Sequence, residues 1–348
     1  MNVLSSVVSA RQRLPLRAGW RGLRFDRHLP REAVHKAADA EVLLTDSARL
    51  GEERFAVAAF WERDHHLGHR DGPAADPVLL AETVRQTAIH LAHRFHGSTY
   101  GHPFVLHGLA VELDRPLPPI GPEGLDVGLD LDCRAVAPRR PSPGRERFAL
   151  DGVAWAGHRP VGRVRLRWEV LAPERYAVLR RRSAEGAAAR ERAPAAVPPP
   201  DAVRTGRACA RDVLLAADPE RADRWWLRPF EDHPVLFDHA VDHVPGMVLL
   251  EALRQAAAGT LGGGATDTEL RTLEAEFLAF GERGSPIAVL ADPGPDPASS
   301  RGTAPASVPA PAPAPASVPD PDGTVRVRAV QDGRPIAEAR LRFPEAAC

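Results

Sequence analysis

The chain has 348 residues, 44% hydrophobic and 26% charged, with a net charge of -1. That balance fits about two globular domains and excludes a wholly disordered or collagen-like chain. It also lacks the overall basic excess that binding a nucleic-acid backbone needs, so no nucleic-acid partner is expected. The 45 basic residues comprise one lysine, Lys36, and 44 arginines, a skew that reads as a GC-rich genome. Cys133, Cys209 and Cys348 lie too far apart for a Cys-x-x-Cys site or a disulfide framework. Nothing approaches the ~18 consecutive apolar residues of a membrane span, so no membrane partner is expected either.

In chain order, residues 1–30 read as a disordered leader. Their apolar run is short and precedes most of the basic charge, the wrong order for a secretory signal, so a cytoplasmic location is expected. Strands are expected over Val34–Thr45 and Phe55–Trp61. From Pro77, the stretch PVLLAETVRQTAIHLAHRFHG repeats apolar residues at three and four and predicts a helix of about five turns. The period then changes to two over Phe104–Leu113, Leu125–Ala137, Arg147–Ala156 and Val161–Val170. In the last of these, Val161, Val164, Leu166, Trp168 and Val170 oppose a wet face of Arg163, Arg165, Arg167 and Glu169.

Arg180 to Pro200, with its charge, alanine and proline run, reads as a linker over 176–205. The order then repeats: strands over Arg207–Leu215 and Trp225–Phe230, and a helix from Pro245. Strands follow over Leu270–Phe280, Pro286–Ala291, Thr324–Val330 and Pro335–Phe343. A tract at 292–322, holding ten of the 35 prolines, interrupts this second copy as an extended insertion. Glu82-x-x-Arg85-Gln86 recurs as Glu251-x-x-Arg254-Gln255, an offset of 169 residues. The expected architecture is α+β: two repeats, 31–175 and 206–347, each one long helix wrapped by an antiparallel sheet, a double hot dog.

Chemistry concentrates in HPVLFDHAVDHVPGMVLLEALRQ, residues 233–255. His233, Asp238, His239, Asp242 and His243 precede a helix opened by Pro245-Gly246, whose first N–H groups suit a thioester carbonyl or its oxyanion. Candidate catalytic residues are Glu251, His239, His243 and Glu82. Candidate substrate-binding residues are Gly246, Arg254, Gln255, Arg85, Gln86 and His233. Glutamate and arginine three apart on a solvated helix are worth only ~0.2–0.5 kcal/mol, and each pair could be no more than that. Their recurrence beside glutamine amid apolar neighbours favours a role for the second copy, while for the first copy a functional role and a purely structural one stay open. His90, His93 and His96 read as a solvated or sheet-facing helix edge.

The segment FDHAVDHVPGMVLLEALRQAA resembles the active-site segment of hot-dog 3-hydroxyacyl carrier-protein dehydratases, in which an acid follows the helix-start glycine by five residues, as Glu251 follows Gly246. A wider resemblance is to the A-factor biosynthesis (AfsA-type) hot-dog family. It rests on Val34-His35-Lys36, on Asp76-Pro77 through Gln86, and on His233-Pro234 through Gln255. That resemblance implies transfer of a β-ketoacyl group from acyl carrier protein to the hydroxyl of dihydroxyacetone phosphate, in γ-butyrolactone synthesis. It implies no metal and no redox cofactor. Glu251 or a histidine such as His239 would act as base, and Arg254 or Arg85 would hold the phosphate. A dehydratase or thioesterase, or a non-catalytic acyl- or lactone-binding module, are the alternatives.

Overall fold

The structure is a computed structural model. It describes residues 20, 22–69, 73–137, 143–185, 205, 207, 209–221, 223–228, 231–239, 241–261, 269–291 and 323–343. The insertion at 292–322, Phe230, most of the leader and 186–204 of the linker lie outside these residues.

The first repeat contains β1 (Leu44–Arg49), β2 (Arg54–Trp61), α1 (Pro77–His96), β3 (Phe104–Leu113), β4 (Leu125–Ala135), β5 (Arg145–Ala156) and β6 (Arg159–Leu171). After α2 (Pro173–Glu185), the second contains β7 (Leu215–Ala217), β8 (Arg224–Leu227), β9 (His243–Val244), α3 (Gly246–Thr260), β10 (Thr272–Phe277), β11 (Gly281–Glu282), β12 (Ala288–Ala291), β13 (Thr324–Gln331) and β14 (Arg334–Arg342). Twelve strands form one sheet in the order β1-β2-β4-β5-β6-β3-β10-β14-β13-β12-β8-β7. Read from either edge, the order is the same repeat. The halves join at β3 and β10, which pair antiparallel from Thr272↔Glu112 to Glu276↔Gly108. One hydrophobic core runs through both, so the double hot dog is a single packed body.

Both helices are buried around most of their circumference, as a helix wrapped by a sheet must be. The Asp76 side chain caps α1 by accepting from Val78 N at 2.9 Å, Pro77 opens its first turn, and Gly97 closes it in the left-handed conformation.

Four expectations need correction. Val34–Thr45 and Arg207–Leu215 are not strands. Each contains a 3-10 turn, over Asp39–Glu41 and Ala210–Asp212, and pairing begins only at Leu44 and Leu215. The cause is a side-chain clamp. Gln86 donates to Glu41 O and accepts from Leu43 N, and Gln255 does the same with Asp212 O and Leu214 N, so ladder hydrogen bonds are replaced. The leader is not disordered up to residue 30. Trp20, Leu23 and Phe25 are buried against Ala56 and Ala58 of β2, which explains why β2 is buried on both faces. The linker opens as helix α2, because arginine and alanine favour a helix as readily as a spacer. Finally, Glu169 leaves the wet face of β6 and is buried under Arg145, Arg147 and His107. No helix among the described residues is long and apolar enough to cross a membrane.

Candidate active site

A cavity of 1310 Å³ lies between α1 and the loop of the second repeat that leads into α3. Its wall holds His35, Lys36, His66, Glu82 and Arg85 from the first repeat, and Asp238, His239, His243 and Gly246 from the second. These charges form one chain. Arg85 Nε and Nη2 each donate to Glu82 at 2.8 Å. Lys36 Nζ lies 3.2 Å from Glu82 Oε1 and 3.7 Å from Asp238 Oδ2. Asp238 Oδ1 lies 2.6 Å from His239 Nδ1. Burial opposes ionisation of Glu82, but Arg85 and Lys36 outweigh it and hold the carboxyl well below its usual range. Asp238 is likewise lowered, with burial overcome by its bond to His239 and by Lys36. Nδ1 of His239 is thus committed, and its ring is half exposed to the cavity at 48%.

Gly246 opens α3 against the cavity, where a Cβ would meet the Phe277 ring at 3.3 Å. His243 also faces the cavity, with Nδ1 2.7 Å from Asp242 and its ring packed on Phe280. His107 sits at the β3 bulge between Leu106 and Gly108, which turns it to the same cavity.

The second copy of the triplet is placed differently. Glu251, Arg254 and Gln255 are all 0% exposed and none lines the cavity. Arg254 donates to Glu251 Oε2 at 2.5 Å and to Asp76 Oδ1 at 2.6 Å. Arg207 lies 3.1 Å from Glu251 and donates to His65 at 3.0 Å, and His65 lies 3.5 Å from Asp76. The acids and bases there close one ring of ion pairs and hydrogen bonds. Lys36 and Arg207 are counterparts, one per repeat, each pairing with the helix glutamate.

Gln86 and Gln255 are consumed by their clamps and by a bond each to Glu82 or Glu251. His233 lies off the cavity too, its Nδ1 accepting from Val235 N and Leu236 N and its Nε2 facing Asp212. His90 and His93 are buried rather than solvated, bonded to Ser47 and His35.

Several cavity residues were not among the candidates, Asp238, Lys36, His35 and His66 among them. Lys36 could have been found as the only lysine beside His35. His35 itself has a left-handed backbone, φ 53°. His66 is 1% exposed, lines the cavity, and neither ring nitrogen has a hydrogen-bond partner among the described residues. Burial pushes its imidazolium down to about 3, so the ring is neutral.

Two tandem hot-dog units with one cavity walled by both define a double hot-dog protein. The model of the A-factor biosynthesis hotdog domain matches residues 21–172 and again 187–344, and the chain belongs to that family. Among its relatives, a 2-oxo-3-(phosphooxy)propyl 3-oxoalkanoate synthase of Streptomyces virginiae is 35% identical, covering 77% of this chain and 88% of the relative. A protein of the same name from Streptomyces griseus is 33% identical, covering 90% and 95%. A solved 12:0-ACP thioesterase from Umbellularia californica overlaps with a TM-score of 0.45 at 13% identity, covering 85% of this chain and 99% of that one.

Proposed function

We propose that the chain esterifies dihydroxyacetone phosphate with a 3-oxoacyl group taken from an acyl carrier protein thioester. The relatives' name describes such an ester, in which a phosphorylated three-carbon ketone is joined to a 3-oxoalkanoate. The observation that carries the reading is the Arg85–Glu82–Lys36–Asp238–His239 chain in the wall of one cavity built from both repeats.

In this reading His239 Nε2 takes the proton of the acceptor hydroxyl, while Asp238 holds Nδ1 and stabilises the imidazolium. The freed oxygen attacks the thioester carbonyl carbon. The oxyanion rests at the α3 N-terminus, where Gly246 and Met247 line the cavity. The C–S bond then breaks and the leaving thiolate takes the proton from His239. Arg85 uses only Nε and Nη2 on Glu82, so Nη1 remains to hold a phosphate oxygen. Glu82, kept ionised, orients Arg85 and Lys36 and is not the base. Glu251 and Arg254, sealed in their own ring, are assigned to structure.

Mass spectrometry of the product tests this. The wild-type protein, given a 3-oxoacyl thioester and dihydroxyacetone phosphate, is expected to form the phosphorylated ester and to form none when the acceptor is omitted. Thioester hydrolysis indifferent to the acceptor refutes the reading.

A further inference from the structure

The cavity wall carries a second arginine fork, built like the first and left unused by the proposed chemistry. Arg145 donates to Glu169 through Nε and, at 3.0 Å, through Nη2, as Arg85 does to Glu82. His107 Nε2 lies 3.1 Å from Glu169 Oε1, as Lys36 Nζ lies beside Glu82 Oε1. Arg147 stands opposite Glu169 across the β5–β6 ladder, 3.6 Å from its carboxylate. Against one carboxylate stand two guanidinium groups, so the cluster is a net cation even with His107 neutral.

Glu169 is buried on a strand face whose other charged residues, Arg163, Arg165 and Arg167, stay wet. Burial opposes its ionisation, but its bonds to His107 and Arg145 overcome that and hold the carboxyl down at about 2. A carboxylate fixed in this way grips Nε and Nη2 of the guanidinium, and Arg145 Nη1 makes no hydrogen bond among the described residues. Arg145, His107 and Glu169 all line the cavity. The two forks differ in depth. Lys36, beside the first, is buried, whereas Arg145 and His107 are 34% and 38% exposed. The second fork shares the cavity's more open wall with Tyr100 and Leu278, both exposed, and with Val178 and Leu179 of α2, which lies over it. A deep fork suits the phosphate of a small acceptor, and an outer one suits an anion that continues outward into a carrier. The cavity volume exceeds the ~300–1,000 Å³ of ordinary ligand pockets, which leaves room for both substrates at once.

We propose that Arg145, positioned by Glu169 and flanked by His107, holds the phosphate of the acyl donor's pantetheine arm, a phosphodiester when the arm is joined to a carrier protein. Nη1 donates to a phosphate oxygen, and the surplus positive charge of the cluster offsets that of the phosphate. The inference rests on the acyl-thioester reading above and adds to it a site for the donor, while Arg85 keeps the acceptor.

The test compares two small donors bearing the same 3-oxoacyl group, S-acyl 4′-phosphopantetheine and S-acyl pantetheine, with dihydroxyacetone phosphate as acceptor. The wild type is expected to favour the phosphorylated donor in kcat/KM by about tenfold or more, the worth of one charge-assisted hydrogen bond. Arg145→Met brings that ratio to within about twofold of unity and leaves KM for the acceptor within about twofold of the wild type. Arg145→Met/Glu169→Met, which strands no buried carboxylate, gives the same ratio, and Arg145→Lys retains part of the preference. A wild type indifferent to the donor's phosphate, or a preference that survives both Met variants, overturns the proposal. A raised KM for the acceptor with the donor preference intact overturns it too and gives the fork to the acceptor's phosphate. Calorimetric binding of 4′-phosphopantetheine and of pantetheine, neither acylated, reads the same preference with no ester formed. If the wild type forms no ester from either donor, yet binds the phosphorylated arm more tightly and loses that margin in Arg145→Met, the acyl-transfer reading alone is sunk.

Discussion

Glu82 and Glu251 have the same neighbours on their helices and opposite surroundings. Each accepts from the arginine three residues on and the glutamine four residues on, and each faces a buried cation from its own repeat, Lys36 or Arg207. What differs is the next partner. Arg254 also meets Asp76, the cap of α1. Asp76 corresponds, 169 residues on, to Pro245, which has no carboxylate, and Arg85 stays 21% exposed at the cavity. Removing one member of a closed buried charge ring leaves its partners uncompensated, so Arg254→Ala is expected to cost about 3–5 kcal/mol in urea unfolding. His239→Gln, on a half-exposed ring, is expected to leave stability nearly unchanged and to lower kcat by about 10²–10⁴-fold in the product assay. The residue types at both sites were readable from the chain. Their occupancy was not, because identical triplets carry no mark of what another loop brings to them.

At the scale of elements, the helices and most strands follow from period and punctuation alone. α1 starts at Pro77 and stops at Gly97, and β6 alternates as its sequence does until Glu169, where a cation cluster overrides the pattern. The two glutamine clamps were invisible for a definite reason. A buried amide that replaces ladder hydrogen bonds leaves the apolar content of Val34–Thr45 and Arg207–Leu215 looking like strand. The segment at Trp20 was hidden similarly, since its burial depends on a hole in another element. Gly128 of β4 has no side chain, and a Cβ there would lie 1.9 Å from the Trp20 ring. Gly128→Val is therefore expected to expel Trp20 and lower stability by about 3 kcal/mol or more. Trp20→Ala is expected to cost a similar amount, and combining the two to cost less than their sum, by thermal and urea unfolding.

The molecule as a whole is built to be stable near neutrality and weak in acid. Burial, first, then the neighbouring His93 and Arg85 lower His35 to about 4, and burial and Arg94 lower His90 to about 4. His66 lies near 3. All three are neutral in the fold, whereas in the unfolded chain they take protons near ~6.5. Below that pH the unfolded state binds more protons, so stability is complete above ~6.5 and is lost as pH falls toward 4. The unfolding midpoint is expected to drop steadily between pH 7 and pH 5, and an unchanged midpoint across that window would refute neutral burial of these rings. Two tandem units with an antiparallel wrap around one helix each, and the family they belong to, were legible in the chain, because periodicity and a 169-residue repeat are local properties of sequence. Which unit opens onto a cavity was settled only by folding. That choice rests on whether a carboxylate or a proline from the other unit stands before each arginine, and on a helix that laid itself over the opening. Both are contacts between groups far apart in the chain, whose energies exist only once the shared core has brought them together.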